Sequence, residues 1–136
     1  MALAPNQLAL WLGQQHHPSA PIYNMAHAFT IHGPIDPVRF MAAFQTLADK
    51  SDALRLVIHE SEGHPQQRVV ASSPIAMDFI DLTQHEGDVN NALEHWLDER
   101  RVLPIDLASC HYDVALLKLA EDRFVWYYNH HHISCD

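Results

Sequence analysis

Basic residues are scarce in this chain. Lys and Arg number 8 against 17 Asp and Glu, which leaves a formal charge of −9 with histidine neutral. Binding that works by neutralising phosphates needs the opposite balance, so the composition argues against a nucleic-acid partner. The acidic residues are scattered and form no tail. Cysteine is nearly absent as well. Cys110 and Cys135 are too few for a disulfide scaffold, and a reducing cytoplasm is the expected compartment. No apolar run approaches the ~20 residues that span a bilayer. Residues 1–15 carry no positive charge ahead of their apolar stretch, so neither a secretory signal nor a membrane partner is expected. Internal repeats and low-complexity stretches are missing too. Of the 136 residues, 48% are hydrophobic and 18% charged, which excludes a disordered tail and suits one domain or part of a larger one. The residue in excess is histidine: there are 12, three of them consecutive at His130-His131-His132.

Several elements are marked by their punctuation. Residues 6–15 read as a short helix, capped by Asn6 after Pro5, with Leu8, Trp11 and Leu12 on one face. The run His16-His17-Pro18-Ser19-Ala20-Pro21 breaks it, and residues 23–32 read as a strand that Gly33-Pro34 ends. Asp36 as N-cap and Pro37 at the first helical position open the clearest helix, with Phe40, Ala43, Phe44, Leu47 and Ala48 as its apolar face. Residues 54–60 and 66–71 flank Ser61-Glu62-Gly63-His64-Pro65 and predict a hairpin, and residues 75–82 predict a strand. Residues 89–101 form a second amphipathic helix with Val89, Leu93, Trp96 and Leu97 inward, which Pro104 ends. Residues 112–119 and 124–133 predict a last hairpin around Ala120-Glu121-Asp122-Arg123. Both of its strands are apolar on both faces, as in central strands covered by helices. The expected class is α/β, a mixed sheet with helices packed on it.

On a strand, side chains alternate faces. His130 and His132 would then share the face of Phe124, Trp126 and Tyr128, with His131 on the other. A two-residue turn at Glu121-Asp122 would set His111 opposite His132 and Asp113 opposite His130, although a slip of one residue exchanges the faces. Three readings of the cluster follow. His130 and His132, with His111 or Asp113, could chelate a metal. The histidines could be buried, hydrogen-bonded core residues. Or one could exchange a proton with a nucleophile, since imidazole titrates near neutrality.

The string His131-His132-Ile133-Ser134-Cys135-Asp136 fits HHxxxD, the motif of the condensation domains of nonribosomal peptide synthetases. The resemblance runs through the chain in order. Gln7-Leu8-Ala9-Leu10-Trp11-Leu12 resembles the family's opening motif, with Ala9 where an Arg is common. Pro21-Ile22-Tyr23-Asn24 and Ile31-His32-Gly33-Pro34-Ile35-Asp36 resemble its first strand and the "xGxLD" start of the next helix. Lys50-Ser51-Asp52-Ala53-Leu54-Arg55 resembles "RHExLR", Pro104-Ile105-Asp106-Leu107 resembles "PFDL", and Trp126-Tyr127-Tyr128 leads into the histidines.

The resemblance implies a chloramphenicol acetyltransferase-like fold of two related lobes. Residues 1–136 would be the N-terminal lobe, truncated just after the motif. It implies that His132 is catalytic, with His131, Asp136 and Arg55 as structural support and with His130 and Asp113 as possible neighbours of the site. In the family Asp136 pairs with an Arg in the strand after "PFDL". Asp113 stands at the matching position, so Arg55 or backbone donors would have to hold Asp136.

The implied reaction is amide formation between a donor acyl or peptidyl thioester and an acceptor aminoacyl thioester. Both ride on the 4'-phosphopantetheine arms of carrier proteins, and the domain itself binds no cofactor and no metal. The implied partners are the two peptidyl carrier proteins, the C-terminal lobe, and an upstream synthetase subunit in trans if Met1 is native, as in siderophore-type assembly. The alternatives are an epimerisation or ester-forming acyltransferase domain of the same superfamily, or a non-catalytic half-domain that docks a carrier. The chain alone is expected to be inactive.

Overall fold

The computed structural model describes residues 1–134. Helix α1 (Pro5–His16) leads into strand β1 (Asn24–His32) and helix α2 (Pro37–Lys50). After a 3₁₀ turn at Asp52–Arg55 come β2 (Leu56–Ser61), β3 (His64–Val69), β4 (Asp78–Asp81) and helix α3 (Val89–Arg101). Strands β5 (Tyr112–Ala120) and β6 (Arg123–His131) follow, and a second 3₁₀ turn, His132–Ser134, ends the described chain.

Local chemistry sets these boundaries. The Asp36 carboxylate accepts hydrogen bonds from the Val38 and Arg39 amides, satisfying two orphan donors at the start of α2. Asp88 does the same for Asn90 at the start of α3. The β2–β3 hairpin turns on Glu62 and Gly63, whose φ values are 53° and 77°. Two positive φ values in a two-residue loop match the twist of the flanking strands, and glycine takes one of them without steric cost.

The main sheet has the order β1-β6-β5-β4. Strand β4 runs parallel to β5 and the other pairs are antiparallel, so the sheet is mixed. Alternation along β5 and β6 divides the core in two. Val114, Leu116 and Phe124 pack with Phe44 and Met77 on the α2 side. Ala115, Leu117, Leu119, Val125 and Tyr127 pack with Leu93 on the α3 side, flanked by Trp96 and Leu97. A third cluster joins Ile58, Leu107 and Ile133, with Leu3, Leu10 and Trp11 against it. This third cluster sits at the end of β6 and anchors the chain just past the histidines.

Five expectations need correction. Helix α1 starts at Pro5 with Ala4 at the N-cap position, so Asn6 is inside it. Its inward stripe is Gln7, Leu10, Trp11 and Gln14, while Leu8 and Leu12 face solvent. On α2, Phe44 and Ala48 are buried, but Ala43 and Leu47 are exposed. Finally, β6 stops at His131, and the β5–β6 register slips. The two-residue turn pairs Ala120 with Arg123, but a bulge between Lys118 and Ala120 shifts every earlier pair by one. Tyr112 therefore faces His130, Asp113 faces Asn129, and the His131 amide bonds the His111 carbonyl at 2.8 Å. A bulge puts two residues opposite one, which no alternation pattern reveals.

Candidate active site

The three histidines end up in three environments. His131 is 1% exposed, on the strand face of Tyr127 and Asn129. Its Nδ1 accepts from the Ile133 amide at 3.1 Å, and its Nε2 meets Gln14 Oε1 at 3.3 Å. The Gln14 amide nitrogen donates to the carbonyls of His17 and Ala20, so its oxygen is the end turned to His131. His131 Nε2 therefore carries the proton, in a neutral imidazole with one fixed tautomer. Burial, and then the positions of His111, His132 and His130, push its pKa down to about 4.

His132 is the first residue of the 3₁₀ turn and is half-buried between two fully buried neighbours, His131 and Ile133. Its amide donates to the Tyr23 carbonyl at 2.8 Å. The Ser134 hydroxyl donates to the His131 carbonyl, and Gln7 Nε2 donates to the Ile133 carbonyl at 3.3 Å. The turn is thus fastened to α1, to the residue before β1 and to its own strand, while His132 itself stays half-buried. Tyr23 also sets its ring edge against His131, with centroids 5.7 Å apart. Gly13 makes room for that ring: a Cβ there would stand 2.9 Å from Tyr23 Cζ and nearer still to the hydroxyl.

On the opposite face of β6, His130 stacks on His27 (5.8 Å, 18° between planes) and tilts against Tyr128 at 5.0 Å. Phe29 and Trp126 continue this aromatic strip across β1 and β6. Burial lowers the His130 pKa, with smaller contributions from His27, His111 and His132. His111 is buried next to the end of β6, and its Nδ1 donates to the Leu56 carbonyl at 2.9 Å.

Asp113 and Arg55 lie elsewhere. Asp113 takes two 2.7 Å bonds from Arg100 of α3, which also holds Asp78 at 2.7 Å and stands over the Trp96 ring. The register slip sets Asp113 opposite Asn129, on the face away from His130. Arg55 bonds Asp52 at 2.6 Å and the Val70 carbonyl at 2.9 Å, tying the first 3₁₀ turn to the end of β3. Both side chains line one cavity of about 410 Å³, which none of the three histidines reaches. Asp136 and Cys135 lie outside the described residues. Among the described residues no group of three His, Cys, Asp or Glu side chains is placed to hold a metal ion.

Gln14 and Gly13 stand outside the motifs in the sequence, and Tyr23 enters them only within Pro21-Ile22-Tyr23-Asn24. One signal for Gln14 was present: it follows Gln7 by seven residues, with Leu10 and Trp11 between, on a single helical stripe.

Known proteins share the sequence pattern and the fold. The profile of the condensation domain family matches residues 1–136. The isonitrile lipopeptide synthase of Streptomyces coeruleorubidus is 32% identical over 132 residues, which is 96% of this chain and 9% of that protein. The dimodular nonribosomal peptide synthase of Bacillus subtilis (strain 168) is 29% identical over 136 residues, 99% of this chain and 6% of that one. Among solved structures, the starter condensation domain of rhizomide synthetase superposes with a TM-score of 0.89 at 34% identity, covering 97% of this chain and 33% of that domain's chain. The first condensation domain of the calcium-dependent antibiotic synthetase, in complex with a substrate analogue, superposes at 0.83 and 26% identity. The chain therefore spans a small part of the synthetases it matches and about a third of the solved domain chains. It has the fold of one lobe of the larger condensation-domain structures, and the curated proteins it resembles include a nonribosomal peptide synthase. This chain belongs to the condensation domain family.

Proposed function

We propose that this chain is the histidine-bearing N-terminal lobe of a two-lobed condensation domain, with His132 as its catalytic residue. Its substrates would be an acyl or peptidyl thioester on a donor carrier and an aminoacyl thioester on an acceptor carrier. The amine nitrogen attacks the donor carbonyl carbon, the C–N bond forms, and the C–S bond to the donor's phosphopantetheine breaks. The amine loses one proton and the leaving thiolate gains one, and a neutral imidazole can pass it between them. A thioester is a reactive acyl donor and an α-amine has a pKa near ~7.7–8.0, so modest proton help and strict positioning suffice.

The observation that carries this reading is the setting of His132. Two buried neighbours and four hydrogen bonds fix the backbone around it, while His132 itself is only half-buried. His131, by contrast, is buried with both ring nitrogens engaged. Rhizomide synthetase's starter domain has been solved with C8-CoA and Leu-SNAC, an acyl thioester and an aminoacyl thioester mimic, which supports the same substrate pair here. Support for the site from Asp136, and contributions from the donor carrier, the acceptor carrier and the second lobe, are part of the proposal.

The test loads a donor carrier with an acyl group and an acceptor carrier with an aminoacyl group, and follows both by intact mass. A two-lobed protein containing this chain should move the acyl mass to the acceptor, and the 136-residue chain alone should not. Transfer by the chain alone would mean that no second lobe is needed. Transfer without an acceptor amine, to a hydroxyl or to water, would indicate another chemistry.

A further inference from the structure

We infer that Gln14 is a positioning residue for His132, acting through the ring of His131. The inference rests on the reading of His132 as the catalytic side chain. Three observations meet here. Gln14 is buried although it sits on a helix that is mostly exposed. Its amide nitrogen is committed to the His17 and Ala20 carbonyls, which end α1 and hold the loop behind it, so its oxygen has one orientation. That oxygen accepts the His131 Nε2 proton, which leaves Nδ1 with a free lone pair facing the Ile133 amide.

The chain of consequence is short. An imidazole protonated on Nδ1 would set a donor against the Ile133 N–H donor, and the 3₁₀ turn would lose its tie to the His131 ring. Ile133 directly follows His132, so this tie to the His131 ring helps set the direction of the His132 Cα–Cβ bond. Gln7, two turns earlier on the same stripe of α1, holds the Ile133 carbonyl and leaves the amide to the Gln14–His131 relay. Gln67 braces Gln7 at 3.2 Å. Helix α1 thus grips both polar ends of the residue after His132, once directly and once through a histidine ring.

The first experiment reads the 136-residue chain by imidazole ¹H–¹⁵N correlation at pH 7. The wild type should show His131 protonated on Nε2 alone, and a ring protonated on Nδ1 would overturn the inference. In Gln14→Leu the His131 signals should average between tautomers and the Ile133 amide should exchange on the order of tenfold faster. One retained tautomer with unchanged Ile133 protection would overturn it. If Gln14→Leu does not fold, Gln14→Glu sets a carboxylate at the same acceptor position and should move the His131 titration to higher pH. An unmoved titration would overturn the inference. These readouts concern ring geometry, so they stand or fall apart from the assignment of His132.

The second experiment uses the two-lobed protein. Gln14→Leu should lower kcat by on the order of tenfold to a hundredfold, with KM for both carriers unchanged. Unchanged turnover, where His132→Ala is inactive, would refute a positioning role. Inactivity of neither variant would instead refute the assignment of His132.

Discussion

Substituting Gly13 with alanine sets two well-defined effects against each other. Gly13 lies inside α1, where alanine is favoured over glycine by about 1 kcal/mol. A helix-propensity argument alone predicts stabilisation. The added Cβ, however, would sit 2.9 Å from Tyr23 Cζ and 3.0 Å from Cε2, with the hydroxyl nearer still. The tyrosine ring must swing away, and its edge contact with His131 goes with it. Forcing a methyl into a filled site costs roughly 1–3 kcal/mol. The net expectation is a loss of about 0–2 kcal/mol, with the sign set by the ring. A double-mutant cycle isolates that term. In a Tyr23→Ala background the obstruction is gone, and Gly13→Ala should then stabilise the chain by about 1 kcal/mol. Urea unfolding of the four proteins measures the cycle. A coupling of about 1–3 kcal/mol supports the packing reasoning. Equal effects of Gly13→Ala in both backgrounds would refute it.

Two further outcomes follow from the polar contacts. His131 is neutral when folded, with its pKa held at about 4, against about 6.5 in an unfolded chain. Between those values the unfolded state binds the extra proton, so stability should fall as pH drops from about 6.5 towards 4, by on the order of 3 kcal/mol from this residue. His111 and His130, also lowered, add to the same slope. Urea midpoints across this range should flatten in His131→Asn, and an unchanged slope would contradict the assignment. Asp113→Ala strips two 2.7 Å bonds from Arg100, whereas Asp78→Ala strips one. The first should cost about 1–3 kcal/mol and exceed the second in the same unfolding assay. The reverse order would show that Asp78 is the main partner.

What the sequence disclosed, and what it withheld, follows from the range of the forces involved. The caps at Asp36 and the run of Val89, Leu93, Trp96 and Leu97 are local, and α2 and α3 form where those signals stand. The apolar character of both faces of β5 and β6 correctly indicated central strands between helices. The motif resemblance reached the family because it depends on order along the chain. The bulge at Leu119 was not legible, since leucine suits a paired and an unpaired position alike, and it moved Asp113 from His130 to Asn129. The fastening of the histidine turn was equally hidden. Gln14 and His131 are 117 positions apart, and only the packing of α1 across the end of β6 brings them together. The inward stripe of α1 was misread for a related reason. Leu8 and Leu12 are the more apolar choice, but the partner surface offered the Ile133 carbonyl and the His131 ring, which glutamines match and leucines do not.

In the proposed mechanism His132 takes part in bond formation while the residues around it hold it still. Its most direct test is a single-turnover transfer between loaded carriers, comparing the two-lobed protein with its His132→Ala variant. The expected result is a loss of on the order of a hundredfold to ten-thousandfold in rate, with carrier affinity and unfolding midpoint unchanged. A variant that transfers the acyl group at the wild-type rate would contradict it.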